Sequence, residues 1–373
     1  MAMTFVTLFT RLQNVHLLKD VGMIPYLLYR DYGIDSTIVS YKNENDYQYL
    51  TDKVKGLKLK FIKKTGNNPI LPALKYVWTN AASIDVLNVY HLNLLSFLSL
   101  LIYKFKKKPD GIGYLKLDMD KRGYKRLFAF SPVGLVKRMT MSLADVISVE
   151  TTILWKKLRK KYKDKIIYIP NGFYSEGKIP DREFNKENII LTVGNLGTYA
   201  KATDNLMQAF AGAAYDNDYR LVLVGPVEES FKGFIKAFME NHSDLKDRII
   251  FTGAISDKDR LSQIYKKAKI FALPSRSESF GIVLLEAASK GDFLVTTGGV
   301  PAGIDINNDG KFGFVVPVDD VSALSGAFVR LMNSKADWNS RACEIADYTY
   351  YNFSWEPIVS KLHDVLEVKR GRK

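Results

Sequence analysis

What most constrains this chain is an alternation running almost its whole length: a short β-branched or aromatic run, a loop with Gly or Pro, then a longer segment with apolar residues at helical spacing. Strands that alternate with helices pair in parallel, because each return to the sheet needs a crossover segment. The spacing predicts strands at Thr4–Phe9, Ser36–Tyr41, Leu57–Ile62, Ile84–Tyr90, Gly113–Leu117, Asp145–Val149 and Ile166–Ile169. It predicts helices at Pro25–Tyr32, with Pro25 in the first turn and Gly33 as C-cap, and at Pro132–Leu143 with Ser131 as N-cap. A second series follows at Asn188–Val193, Tyr219–Val224, Ile249–Phe251, Ile270–Leu273, Phe293–Thr296 and Gly313–Val316. Two α/β domains with Rossmann-like parallel sheets are expected, residues 1–170 and 188–354, joined by a polar linker at 171–187. The apolar-periodic segment Pro357–Val368 is expected to pack back on the first domain. A length of 373 residues suits two such cores.

Several function classes fall away on composition. Cys343 is the lone cysteine, so no disulfide framework exists, and the four histidines lack metal-ligand spacing. A cytoplasmic protein with no bound metal is expected. The first residues lack a basic leader, so no signal peptide is expected, and the apolar stretch Leu92–Tyr103 is shorter than the ~18 to 20 residues of a spanning helix. Up to Pro170 there are 29 Lys and Arg against 13 Asp and Glu, whereas the remainder has 25 against 27. The basic half would meet an anionic partner, either an anionic membrane face or a phosphate-bearing substrate. Nucleic acid is not expected, because no recognition motif accompanies the charge. One basic amphipathic segment sets Leu154, Trp155, Leu158 and Tyr162 opposite Lys156, Lys157, Arg159, Lys160 and Lys163, reading either as a helix lying on a membrane or as a core-facing helix with a solvated outer face.

Ligands of open α/β sheets bind beyond the carboxyl ends of the strands, so the loops of the second domain carry the chemistry. After Val193 come Gly194, Asn195 and, further on, Lys201, with Thr203 and Asp204 placed to open a helix. A cation just ahead of a helix N-terminus is unfavourable unless an anion such as phosphate lies between, although a solvated loop lysine fits the spacing too. After Leu273 come Ser275, Arg276, Glu278, Ser279, Phe280 and Gly281, then a helix from Ile282. The first-turn amides would face a diphosphate, and Glu286, five residues beyond Gly281, lies about 7.5 Å along the axis, within reach of a ribose. Two glutamates on a solvated surface would show the same spacing. Three Asp-x-Asp spacings read as loop and cap residues rather than a cation site: Asp118 with Asp120, Asp216 with Asp218, and Asp257 with Asp259.

Leu273-Pro274-Ser275, Glu278, Phe280-Gly281, Leu285-Glu286-Ala287 and Thr297-Gly298-Gly299, following Val193-Gly194, Lys201, Val224-Gly225 and Phe251-Thr252-Gly253, resemble the donor half of retaining glycosyltransferase family four. The resemblance is strong over Asn188–Met332 and loose in the first half, where Asp85–His91 and Pro170-Asn171-Gly172 carry it. It implies a GT-B fold with two sheets facing across a cleft, and transfer of a sugar from a nucleotide diphosphate, in first place a UDP-sugar, to a glycan, glycolipid or glycoprotein acceptor, as in polysaccharide biosynthesis. It also implies no metal and no cofactor, since Lys, Arg and helix ends replace the cation. Carried over residue by residue, Gly22, Gly194, Asn195, Lys201, Glu278, Ser279, Phe280, Gly281, Ile282 and Glu286 would bind donor. Lys201 would stabilise the leaving diphosphate and Glu278 would hold sugar hydroxyls. Asp118 or Lys116 would orient the acceptor, or Asp118 would simply cap a helix.

Three positions depart from the family pattern. Asn195 stands where an Arg usually partners the Lys, Lys19-Asp20-Val21-Gly22 offers one glycine where two are usual, and Lys116 and Asp118 stand near the place of a histidine. The rival reading is a non-catalytic GT-B subunit that binds acceptor or stabilises a partner enzyme.

Overall fold

The computed structural model describes residues 3–64, 70–119, 121–175, 180, 183–215 and 217–371, with the side chains of Lys121 and Arg122 excepted. Residues 176–179 and 181–182 of the expected linker, and Asp120 and Asp216 of the Asp-x-Asp spacings, lie outside this set. The chain forms two compact units, Met1–Tyr174 with Phe353–Lys373, and Ser175–Asn352.

In the first unit seven parallel strands stand in the order β3-β2-β1-β4-β5-β6-β7: β1 (Thr4–Leu8), β2 (Asp35–Ser40), β3 (Lys58–Phe61), β4 (Val86–Tyr90), β5 (Ile112–Leu117), β6 (Val146–Val149) and β7 (Ile166–Tyr168). Helices α1 (Asp20–Tyr32), α2 (Gln48–Asp52), α3 (Leu71–Asn80), α4 (Leu94–Lys106), α5 (Lys121–Leu127), α6 (Pro132–Leu143) and α7 (Thr152–Tyr162) connect them. Strands β4, β5 and β6 are buried along their whole length, as expected of a sheet covered on both faces.

The second unit has six parallel strands in the order β10-β9-β8-β11-β12-β13: β8 (Glu187–Val193), β9 (Arg220–Val224), β10 (Ile249–Gly253), β11 (Ala268–Leu273), β12 (Phe293–Thr297) and β13 (Gly313–Val316). Its helices are α8 (Thr203–Ala213), α9 (Lys232–Asn241), α10 (Lys258–Lys267), α11 (Ile282–Ser289), α12 (Gly303–Ile306), α13 (Val321–Met332) and α14 (Trp338–Phe353). The last helix, α15 (Trp355–Gly371), belongs to the first unit. There Trp355, Ile358, Val359, Leu362 and Leu366 join the core of Phe5 and Leu27, and His363 stacks on Tyr32 with centroids 3.9 Å apart.

Every predicted strand is present, with ends shifted by a residue or two. The helix expected from Pro25 instead begins at Asp20, so Pro25 lies inside it. The Gly22 and Met23 amides donate to the Lys19 carbonyl, and Asp20 Oδ1 accepts from the Val21 amide at 2.9 Å. Those bonds make Lys19 the N-cap and Asp20 to Gly22 the first turn of α1. Among the described residues no helix is long and apolar enough to cross a membrane.

Candidate functional site

In each sheet the strand order reverses once, between β1 and β4 and between β8 and β11. Loops leaving the carboxyl ends of the two strands at such a point run in opposite directions and open a crevice between them. In the second unit those two loops are 194–202, after β8, and 274–281, after β11, the two that hold most of the expected donor residues.

The loops are stapled by backbone bonds. The Arg276 amide donates to the Ala200 carbonyl at 2.8 Å and the Glu278 amide to Gly299 at 2.9 Å. Gly299 is required by proximity: a Cβ there would meet the Ser275 carbonyl at 2.3 Å. A side chain on Gly194 would likewise meet Lys201 Cε at 3.3 Å, so the glycine leaves room for the lysine stem. Across this frame Lys201 Nζ meets Glu278 Oε1 at 2.5 Å, and the Ser275 hydroxyl donates to the same oxygen at 3.0 Å. Both charged side chains are partly accessible, so the pair is a cation and a carboxylate held ready at the switch point.

Gly281, at φ 88°, caps the eight-residue α11, with Phe280 buried beneath it and Val300 and Leu273 on either side. First-turn amides of a helix have no intrahelical acceptor, so Gly281 and Ile282 offer an anion seat, while Ser279 is exposed at the rim. Further along, Glu286 Oε2 accepts a hydrogen bond from the Tyr265 hydroxyl at 2.9 Å. Burial raises the Glu286 carboxyl above its ordinary value and lifts the Tyr265 hydroxyl well above its own. Tyr265 was missed in the sequence, because a tyrosine in an amphipathic helix reads as core.

One expectation about these loops changes. Thr203 does not cap α8: the N-cap is buried Ala202 in the left-handed conformation (φ 51°), and the Thr203 hydroxyl accepts the Gly197 amide at 2.9 Å. A left-handed alanine is unusual and the surrounding bonds hold it in place. Arg276 is committed to structure rather than to an anion. It binds Asp204 at 3.0 Å and Asp319 at 2.6 Å, and lies over Tyr199. Those bonds raise the guanidinium pKa, that to Asp204 foremost. Asn195 is exposed, with its carbonyl accepting the Thr198 hydroxyl at 3.2 Å.

In the first unit Gly22 is buried within α1, where a Cβ would meet the Leu17 carbonyl at 2.2 Å; the glycine serves helix packing. Asp118 is exposed just past β5. Lys116 is fully buried, held by Glu150 at 2.8 Å and Asp20 at 3.7 Å, with Asn171 Oδ1 at 3.5 Å. Burial alone would lower the Lys116 pKa, but the Glu150 and Asp20 carboxylates overcome it and keep the ammonium charged. Burial pushes the Glu150 carboxyl up to about 7. Lys116 therefore supports α1 and the strand ends from within. Glu150 was not singled out in the sequence, although one lysine in an otherwise apolar strand signals a buried carboxylate partner. His91, directly after β4, adopts φ 63° at the carboxyl edge of the sheet, its amide donating to the Lys116 carbonyl at 3.2 Å. Asp85 lies at the opposite end of the same strand, bound to Thr4 and Lys108.

The apolar side of α7 is spent on the core. Leu154 and Leu158 are buried in it, and Trp155 and Tyr162 pack against it, which leaves Ile153 as the exposed aliphatic residue of this helix.

Residues 176–346 match the model of the glycosyl transferases group 1 family. A relative, N-acetyl-alpha-D-glucosaminyl L-malate synthase of Bacillus anthracis, is 27% identical over 193 residues, 50% of this chain and 48% of that protein. The chain spans about half the length, or less, of the first curated relatives it matches. Among solved structures, sucrose-phosphate synthase from Thermosynechococcus elongatus covers 100% of both chains with TM-score 0.71 at 16% identity. Anabaena HepE, solved in complex with UDP, covers 99% of this chain and 100% of its own with TM-score 0.72 at 14% identity. The fold is therefore GT-B, with two Rossmann-like units.

Proposed function

We propose that this chain moves a hexosyl or N-acetylhexosaminyl residue from a nucleoside diphosphate, in first place UDP, to a hydroxyl of a glycan, glycolipid or glycoprotein, with anomeric configuration retained. The observation that carries this reading is the Lys201–Glu278 pair at the switch point of the second sheet, beside the N-terminus of α11. UDP in the HepE structure supports the choice of base.

The barrier in such a transfer is departure of a diphosphate from an oxocarbenium-like carbon. Catalysis therefore needs positive charge where the leaving group becomes more anionic, and a fixed place for the acceptor hydroxyl. Lys201 and the α11 amides supply the charge. As the diphosphate draws Lys201 toward itself, Glu278 Oε1 becomes available to accept hydrogen bonds from donor-sugar hydroxyls. Glu286, oriented by Tyr265, accepts the ribose hydroxyls. The acceptor proton passes to the leaving phosphate oxygen on the same face of the sugar. Acceptor recognition falls to the basic first unit, and no step requires a metal ion.

The test is thermal stabilisation by a panel of sugar nucleotides with EDTA present, followed by transfer assays. Stabilisation by one nucleotide class, with release of the diphosphate when an acceptor is supplied, is the expected result. Binding without hydrolysis or transfer to any acceptor would favour the non-catalytic subunit, and no binding at all would overturn both.

A further inference from the structure

The loop between α5 and α6 holds an apolar tip out of the protein. Phe130 has a relative exposure of 108%, and Val133, Leu135 and Met139 of α6 are exposed too, Leu135 and Met139 one turn apart. The loop is pinned in this form. Arg138 Nη1 donates to the carbonyls of Leu127 at 3.0 Å and Ala129 at 3.1 Å. The Ser131 hydroxyl caps α6 by accepting the Gly134 amide at 3.1 Å. Gly134 admits the tight approach, since a Cβ there would meet the Ala129 carbonyl at 2.3 Å. An exposed phenylalanine on a loop pinned in this way, followed by the exposed Leu135 and Met139 on one side of α6, marks a surface that is covered by something else in use.

The charge around the tip identifies the covering. From Gly123 to Lys163 the sequence has ten lysines and arginines against two acids, Asp145 and Glu150. Both acids are withdrawn, Asp145 onto Lys107 at 2.7 Å and Glu150 onto buried Lys116. Helix α7 brings its cations to the same region. Lys157 lies over the Tyr124 ring of α5 at 5.3 Å and Lys161 over Phe128 at 5.1 Å, with Lys125 and Arg126 exposed between. We propose that this α5–α6 tip, flanked by the outer face of α7, docks the protein on an anionic lipid bilayer, Phe130 and its aliphatic neighbours entering the headgroup boundary while the lysines meet acidic lipid. A polyanion such as RNA would use the lysines but has no need of four exposed apolar side chains, which is why the bilayer is the better match. The surface differs from the α7 face singled out in the sequence: α7 supplies charge and α6 supplies the anchor. The proposal stands apart from sugar transfer, because lipid binding is read without turnover.

The experiment is vesicle co-sedimentation of the full chain with phosphatidylcholine alone and with phosphatidylcholine mixed with phosphatidylglycerol. Binding to the mixed vesicles at low salt, fading as salt rises, is expected. The double variant Phe130→Ser/Met139→Ser should bind about tenfold more weakly with its melting temperature unchanged, because both residues are already exposed. Phe130→Trp should add tryptophan emission that shifts to the blue with mixed vesicles only. Equal recovery with neutral and anionic vesicles would overturn the proposal. So would undiminished binding by the double variant, which would leave a surface for polyanions in general, RNA included.

Discussion

Replacing Lys201 with alanine tests the donor chemistry most directly. In the free protein its ammonium is already matched by Glu278 at 2.5 Å, so a bound diphosphate must compete with that carboxylate, and ground-state binding gains only part of the cation's value. As the sugar–phosphate bond breaks, negative charge accumulates on the leaving group and the balance tips toward it. One cation about 4 Å from a full anionic charge, at an effective dielectric of about 20, is worth about 4 kcal/mol before desolvation. Arg276 is tied to two carboxylates, Asp204 and Asp319, where Lys201 is tied to one, so it is the less available cation. Turnover should therefore fall by two to three orders of magnitude, roughly 3 to 4 kcal/mol, while donor affinity falls by about tenfold or less. The fold should survive, since a partly exposed pair contributes about 1 kcal/mol at most. Glu278→Gln frees the lysine, so affinity for the nucleoside diphosphate alone should hold or rise even as turnover drops. The assay is steady-state release of diphosphate, with calorimetry for binding. If Lys201→Ala keeps turnover within about threefold, ~0.7 kcal/mol, Lys201 does not carry the leaving-group charge.

Glu286→Gln should weaken every ribonucleotide donor by about 1.5 to 3 kcal/mol, measured by calorimetry. Because burial raises the Glu286 carboxyl, the ionised acceptor is lost on acidification sooner than its ordinary value of 4.5 implies, and donor affinity should begin to fall correspondingly early; a wild-type binding curve flat down to that pH would contradict the assignment. The raised value also means that the ionised form costs stability as pH rises through it, so the Gln variant should melt no lower than wild type at neutral pH. Lys116→Met strands a buried carboxylate and should cost about 3 to 5 kcal/mol in urea unfolding at alkaline pH. Glu150 is already pushed up to about 7 and rises further without its partner, so that deficit should shrink as pH falls, and Lys116→Met/Glu150→Leu should recover most of it. In the second unit Lys186 and Asp292 are paired at 2.6 Å with no exposure on either side chain. Burial pushes the Asp292 carboxyl up to about 8, so Lys186→Met should cost about 3 to 5 kcal/mol at alkaline pH and Lys186→Met/Asp292→Leu much less, and equal losses would show that packing rather than charge dominates there.

The structure of the second unit's switch-point loops was legible because its constraints are local: Gly281 caps a helix at positive φ, and Gly299 makes room for a backbone carbonyl, each a constraint that only glycine meets. Features set by distant residues were not. Gly22 reads as a loop glycine until the Lys19 carbonyl and the Leu17 backbone place it in a helix. The Lys116–Glu150 bond joins residues 34 apart on neighbouring strands, and no sequence spacing announces it. Helix α7 shows a further limit. Its amphipathic pattern fixes which side is apolar but not what covers that side, and a core and a bilayer ask for the same residues. The sheet decides the matter by taking Leu154 and Leu158, while on α6 Leu135 and Met139 remain outside it. Apolar periodicity thus locates a surface that must be covered, and only the fold tells whether the chain covers it itself.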